Sequence, residues 1–408
     1  MLLLYNLALR FYFILIMIAA FFNKKAKLWL DGRKKIEYQQ FTKSAWFHFA
    51  SLGEFEQGLP VLTSYKASNP DLKIVITFFS PSGFEIRKNT PLADAVYYLP
   101  LDTKRNARKF IAAINPTVAV FTKYEYWYHF FNELHKRDIP LYIISGIFRE
   151  NQVFFQWYGG LHRRMLKFVT RFFVQDEDSK LLLQKINIDN VSVSGDTRFD
   201  RVWANAQQPK SFPVIEEFSK GHKVFVAGST WPEDEVLLAK LVPDYPHWKF
   251  VFAPHEIGEE KISKLIEQLP LDSSIRYSQI SNLKSEISNY KVLIIDNIGM
   301  LSSLYQYGDI AYIGGGFGAG IHNTLEAAAF GLPVIFGPNY GKFKEARDLV
   351  ELRLGFSINN ENELKKIADY LTGDELRYQP ISQKIKAYIR EHIGATEMIM
   401  GYIDQKTV

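Results

Sequence analysis

From residue 44 onward the chain keeps returning to one pattern: a short, near-continuous apolar run, then a longer segment with helical spacing. The first-half runs are "AWFHFA" (45–50), "KIVITFF" (73–79), "AVYYLP" (95–100), "VAVFT" (118–122), "LYIISG" (141–146), "RFFVQ" (171–175) and "VSVSG" (191–195). They are rich in β-branched and aromatic residues and do not alternate polar with apolar, as strands covered on both faces do. Between them lie helix-length segments such as "TKRNARKFIAAIN" (103–115) and "EDSKLLLQKI" (177–186). This alternation restricts the fold to α/β layers on a parallel sheet. It stops at "ANAQQPKSFPVIEEFSKGHK" (204–223), whose prolines, polar cluster and glycine read as a linker. It restarts with "KVFVAGS" (223–229), "WKFVFAP" (248–254), "VLIIDN" (292–297), "IAYIGGG" (310–316) and "PVIFGP" (333–338). With 408 residues the chain exceeds one ordinary core. The expected fold is α/β: two doubly wound, Rossmann-like domains facing across a cleft, with ligands at the carboxyl ends of the strands. The expected boundaries are a helix and basic flank over 1–35, a first domain over 36–205, a linker over 206–222, a second domain over 223–385 and a closing helix over 386–408 that could pack back on the first domain.

The opening stretch "MLLLYNLALRFYFILIMIAAFF" carries only Asn6 and Arg10 as polar residues, and Lys24, Lys25, Lys27, Arg33, Lys34 and Lys35 follow. The uncharged run Phe11–Phe22 is shorter than the ~20 residues that span a bilayer. Counted from Met1 the length suffices, but Arg10 then sits at membrane depth, which is costly. The positive charges follow the apolar run, the reverse of a cleaved signal peptide. Three readings stay open: a spanning anchor with its basic flank on the cytoplasmic side, a helix lying in the interface, and a buried first helix. Net charge is +5, which favours an anionic substrate or lipid surface. No basic run interleaved with aromatics marks a nucleic-acid groove. Cysteine is absent, which excludes disulfides, thiol nucleophiles and thiolate metal sites and fits a reducing compartment.

The densest motif is "DIAYIGGGFGAGIHNTLEAAAFGLPVIFGP" (309–338), a strand, a glycine run and a helix expected to start at Asn323. Glycines let backbone amides approach an anion, and a helix N-terminus adds a favourable dipole, so this reads as a phosphate site. A dinucleotide fingerprint fits poorly, because position 334, where a ribose-binding acid belongs, is Val. Asn323 with Glu326 three residues on is equally a helix cap needing no ligand. "AGSTWPEDE" places Ser229 and Thr230 at another strand end, and "FAPHE" places His255 at a third. Each alone could be a turn; three in one half suggest a nucleotide site. The first half offers Glu54, just after a strand in "SLGEFEQG", then Lys123, Glu125 and Trp127 in "FTKYEYWYHF", and Arg149 in "SGIFRE". Glu54 reads equally as a general base and as a helix first-turn acid. Lys123 and Arg149 could bind an anionic group or simply be solvated. No cluster has metal-ligand spacing, and no G-x-S-x-G elbow is present.

Together these motifs resemble the bacterial 3-deoxy-D-manno-octulosonic acid (Kdo) transferases, lipopolysaccharide-core glycosyltransferases of GT-B fold. The resemblance covers nearly the whole chain: the apolar first helix and basic flank, "SLGE" (51–54), Glu125 and Trp127, "SGDTRFD" (194–200), "AGST" (227–230), "DNIGMLSSLYQYGDIAYIGGGF" (296–317), "HNTLE" (322–326) and "FGPNYGKF" (336–343). It implies inverting transfer of Kdo from CMP-Kdo to a lipid A precursor, at the cytoplasmic side of the cell inner membrane, with no metal or other cofactor. The first domain would then bind the acceptor and the second the CMP-sugar. Glu54 matches the family's base and Glu125 a second acid. Ser229, Thr230, His255, Gly315, Gly316, Phe317, His322, Asn323 and Glu326 fall at the CMP site, with Lys123 and Arg149 as contacts for anionic groups. The chain departs from the family at Ala253-Pro254-His255 (commonly Pro-Arg-His), at Gly299-Met300-Leu301 (Gly-Glu-Leu), at Gly320-Ile321-His322-Asn323 (Gly-Gly-His-Asn) and at Lys123, where an acid is common. The alternatives are another GT-B enzyme using a UDP-sugar, including a sugar-nucleotide epimerase, and a non-catalytic nucleotide-sugar sensor.

Overall fold

In the computed structural model, which describes residues 1–34, 36–282, 287–373 and 375–407, the chain forms two compact units. The first comprises Met1–Arg201 and His392–Val408, the second Val202–Glu391. Both are α/β units on seven-stranded sheets whose strands all pair parallel.

The first sheet holds β1 (Ser44–Phe49), β2 (Lys73–Phe78), β3 (Ala95–Tyr98), β4 (Pro116–Thr122), β5 (Leu141–Gly146), β6 (Arg171–Val174) and β7 (Val191–Val193), in the order β3-β2-β1-β4-β5-β6-β7. Every residue of β1 is buried, as its unbroken apolar character requires. On one face Trp46 meets Phe110, Phe121 and Phe130 edge-on at 5.1, 4.9 and 5.6 Å. Against the other face lies the helix Leu52–Ser68, with Phe55, Val61, Leu62 and Tyr65 in the core. The last helix, Ala395–Thr407, adds Ile399, Met400 and Ile403 to that core. Its start is capped by Asp200, whose carboxylate accepts from the backbone amides of Gly394 and Thr396 and from the Thr396 hydroxyl at 2.6–2.7 Å.

The first helix, α1 (Leu2–Ala19), is two-faced. Its inner face is fastened to the first unit: Tyr5 donates to Asp102 at 2.6 Å, His129 Nε2 donates to Asn6 at 2.7 Å, and the rings of Tyr12 and Phe13 pack on Trp29. Its outer face is a helical stripe of Leu3, Leu7, Phe11, Ile14 and Ile18, each 46–71 % exposed. Within the basic flank, Arg33 is not a free surface charge. Its guanidinium stacks on Trp29 at 3.8 Å and donates to the carbonyls of Trp29, Phe79 and Leu99. Lys35 lies outside the described residues.

The second sheet holds β8 (Lys223–Thr230), β9 (Trp248–Pro254), β10 (Ser274–Arg276), β11 (Val292–Ile294), β12 (Ile310–Ile313), β13 (Val334–Phe336) and β14 (Gly355–Ser357), ordered β10-β11-β9-β8-β12-β13-β14. Two features differ from the sequence reading. The segment read as a linker carries the helix Pro213–Ser219, which buries Ile215 and Phe218; Pro213 opens the helix, where a missing amide costs nothing. The helix expected at Asn323 is a single turn, Leu325–Ala328. A turn that short has only a small dipole to offer an anion.

Candidate active site

The first sheet's order reverses between β1 and β4; the second's reverses between β8 and β12, apart from β11, which inserts between β9 and β10. Connections leave such a switch point to opposite faces, opening a crevice at the strands' carboxyl ends. Glu54 follows β1 and Glu125 follows β4; Ser229 ends β8 and the glycine run follows β12.

Ser51 is extended and the helix Leu52–Ser68 starts directly after it, which puts Glu54 in the first turn. There the carboxylate turns back, and Oε2 accepts from the backbone amide of Ala50 at 2.6 Å. The helix-start reading is therefore physically real. Among the described residues, however, Oε1 meets no hydrogen-bond partner. The Glu54 pKa is raised to about 8, first by burial and then by the charge of Glu125; the Ala50 amide and the Lys123 charge oppose the rise. Glu125 Oε2 accepts from Trp127 Nε1 at 3.0 Å and lies 3.2 Å from His48 Nε2. Lys123 is left-handed (φ 59°) at the end of β4, and its charge also acts on Asp196. Among the described residues Arg149 makes no hydrogen bond to either carboxylate, though its charge acts on Tyr124, as that of Glu54 does. It also lines a cavity of about 660 Å³ with Phe148, Asp178 and Lys185.

In the second unit three strand ends converge. The His255 ring stacks between Trp231 at 4.7 Å and His322 at 4.6 Å. Trp231 Nε1 donates to His322 Nε2 at 3.1 Å, so the ring proton of neutral His322 is on Nδ1. Burial and the neighbouring His255 press the His322 pKa down to about 4. Ser229 is left-handed (φ 53°). Thr230 faces inward instead: it is buried and its hydroxyl donates to Glu235 at 2.9 Å. Asn323 accepts from the Leu325 amide and donates to Glu326 Oε1, both at 3.1 Å, so the cap and the pair form together.

The glycine run has internal reasons to be glycine. A Cβ on Gly314 would stand 2.2 Å from the Ser229 carbonyl oxygen, and one on Gly316 would stand 2.5 Å from the Gly337 nitrogen. The Gly314 amide donates to the Gly228 carbonyl and the Gly315 amide to Asp234 at 2.8 Å. Those two amides are thus spoken for. Among the described residues the amides of Gly316 and Phe317 meet no internal acceptor. Asp234 also accepts from the Trp231 amide at 2.9 Å and the Tyr312 hydroxyl at 2.7 Å, tying β8, β12 and the run together.

The sequence reading passed over Asp234, Trp231, His48 and Thr77. A signal existed for His48, a lone histidine inside an otherwise apolar strand. None existed for Asp234, which looks like one more acid in a helix first turn.

The family model described as 3-deoxy-D-manno-octulosonic-acid transferase (kdotransferase) matches residues 24–201. The Kdo transferase of Chlamydophila psittaci is 29% identical over 356 residues, covering 85% of this chain and 81% of the relative. That of Aquifex aeolicus is 26% identical over 358 residues, covering 85% and 92%. Over most of its length the chain is thus similar to bacterial Kdo transferases. These homologues indicate a glycosyltransferase, and its two parallel-sheet units resemble those of the GT-B fold. Among solved structures, the UDP-GlcNAc 2-epimerase of Neisseria meningitidis bound to UDP-GlcNAc aligns with a TM-score of 0.62 at 14% identity, over 89% of this chain and 100% of that one. A glycosyltransferase from Rickettsia africae aligns with a TM-score of 0.56 at 14% identity, over 89% and 98%. At such identity the Kdo transferase homologue shares an architecture with them, and nothing about activity follows.

Proposed function

We propose that this protein moves Kdo from CMP-Kdo to a lipid A precursor with inversion at the anomeric carbon, Glu54 acting as general base. The carboxyl pair at the first unit's switch point carries this reading. A buried carboxylate beside a second negative charge binds a proton strongly, and Glu54 Oε1 has no competing partner. The acceptor's primary hydroxyl oxygen attacks the anomeric carbon from the face opposite the phosphate. Its proton passes to Glu54, and the anomeric carbon–oxygen bond to CMP breaks. A positioned base contributes about 10²–10⁴-fold.

The second unit would hold CMP. Its anionic leaving group would be met by the amides of Gly316 and Phe317 and by the Ser229 hydroxyl, with His255 and His322 as stacking and hydrogen-bonding surface. Asn323 and Glu326 would face the ribose. We propose metal independence as well: among the described residues no group of three or more His, Asp or Glu side chains could hold a metal ion. The acceptor is a lipid, and α1 supplies the contact with its membrane. Because Tyr5 and Asn6 fasten one face of α1 to the first unit, we place the helix in the membrane interface, its Leu3–Ile18 stripe in the acyl boundary and the catalytic units on the cytoplasmic side of the inner membrane.

Incubation with CMP-Kdo and a lipid A precursor, read by mass spectrometry of the lipid, tests the reaction, the acceptor and the number of units added together. We expect a Kdo mass increment with stoichiometric CMP release, unaffected by a chelator. Glu54→Gln should lose about 10²–10⁴-fold in rate. Retention of activity within a few-fold would remove Glu54 as the base.

A further inference from the structure

Beneath the carboxyl pair lies a buried polar chain that the mechanism above does not use. His48, at the centre of the apolar strand β1, is fully buried, and so are Trp46 and Thr77. Thr77 stands opposite His48 in the β1–β2 register. The Trp46 indole donates to Thr77 Oγ1 at 2.8 Å; His48 Nδ1 lies 2.8 Å from the same oxygen; His48 Nε2 lies 3.2 Å from Glu125 Oε2. Three polar side chains in a dry strand interior are costly unless each is satisfied.

The chain has a definite direction. An indole N–H only donates, so Thr77 Oγ1 accepts from Trp46. The buried threonine proton then needs its own acceptor, and His48 Nδ1 is the atom in reach. With Nδ1 accepting, the proton of the neutral ring is on Nε2, and it points at Glu125. A second donor, Trp127 Nε1, meets the same carboxylate oxygen. Glu125 is thus gripped by two N–H groups, one of them anchored in the sheet.

We propose that His48 is a positioning residue: through Nε2–H it holds Glu125 in place against Glu54, with Thr77 fixing the tautomer that allows it. This rests on the reading of Glu54 as base and gives Glu125 a role as the fixed charge that makes Glu54 a stronger base. Glu54 is faced by Glu125, Lys123 and Tyr124 from the loop after β4 and by the Ala50 amide. Glu125 is faced by His48 from β1, by Trp127 and by Tyr12 from α1. Of the groups that meet Glu125, His48 is the one held inside the sheet, on β1.

The test is the pH profile of kcat/KM for the full chain acting on CMP-Kdo and lipid acceptor, in His48→Phe, His48→Gln and Thr77→Val. Freed from His48, Glu125 moves off, and that weakens its hold on Glu54. His48→Phe should therefore lower kcat/KM roughly 10- to 100-fold and move the acid limb to lower pH. Glutamine places an amide N–H where Nε2–H stood and should recover most of the loss with the limb near its original position. Thr77→Val should move the limb in the same direction by less, and it reports even if His48→Phe does not fold. An acid limb unmoved in the folded variants, with activity falling only as the melting temperature falls, would make His48 a mere packing residue and overturn the proposal. If Glu54→Gln is itself fully active, the base assignment has failed and this proposal fails with it. If Glu54→Gln is inactive while the limbs stay put, only the positioning role is wrong.

Discussion

Glu54 serves two ends that pull against each other. Its Oε2 closes the start of a helix, while burial and Glu125 raise its pKa from 4.5 to about 8. A base must be ionised to accept a proton, so kcat/KM should rise with pH through about 8. Stability should run the other way. The native fold binds the Glu54 proton more tightly than the unfolded chain does. The stability this contributes is therefore complete below about 4.5 and is lost as pH rises through about 8. Glu54→Gln, neutral at every pH, should accordingly gain in melting temperature over the parent at pH 9 and gain least near pH 4; a gain largest in acid would contradict the assignment. Such a variant exchanges activity for stability, as strained sites commonly do. From sequence alone Glu54 was evenly divided between cap and base, and the structure shows why: the cap uses one oxygen and leaves the other. The pairing of His48 was beyond reach for a different reason. Its partner Glu125 is 77 positions away, and only the pairing of β1 with β4 brings them together.

At the level of elements, the strands read in the sequence were all seven of the first sheet, its edges β3 and β7 included, and the five inner strands of the second, because runs rich in apolar and β-branched residues announce themselves. The two that were not read, β10 and β14, are the edges of the second sheet, three residues each and mixed in polarity, as in "SIR" and "GFS". The glycine run was legible as a site but its glycines were partly misattributed. Gly314 and Gly316 admit neighbouring backbone, and among the described residues the amides of Gly316 and Phe317 are left to meet an anion. The first helix was legible as apolar by composition, but not which of its faces is held, because that depends on what grips its inner face. Asp102 sits at the centre of that grip, accepting from the Tyr5 hydroxyl and from the amides of His129 and Phe130; burial raises its pKa to about 6. Turning the helix relative to the first unit would break its hydrogen bonds to Asp102 and His129. The chain has no cysteine, so one cysteine in a short extension ahead of Met1 reports its side of the membrane without background. We expect a membrane-impermeant maleimide to label it in inside-out vesicles and not in intact spheroplasts. The reverse labelling would mean that α1 spans.

The whole molecule divides its proposed labour between two units that are continuous in sequence only through the crossings near Arg201 and His392. The first carries the carboxyl pair and the apolar first helix; the second carries the stacked rings and the glycine run. A chain of two cores need not unfold in one step, so a ligand confined to one core should act on that core's transition first. This gives a way to decide between nucleotides without any sugar chemistry. If the second unit is a CMP site, calorimetry with CMP at about 100 times its Kd should add about 2.7 kcal/mol to the stability of one transition and move the other less. UDP at the same concentration should do little. A larger shift with UDP would favour a UDP-sugar enzyme on the same scaffold, the alternative that the shared fold alone leaves standing. The rings decide where the effect should vanish. His255 lies stacked between Trp231 and His322, so His255→Ala removes the middle of the stack while leaving Asp234 and the glycine run in place. It should abolish most of the CMP-dependent shift without lowering the ligand-free transition by more than a few degrees. A CMP shift that survives His255→Ala intact would place the nucleotide elsewhere in the second unit.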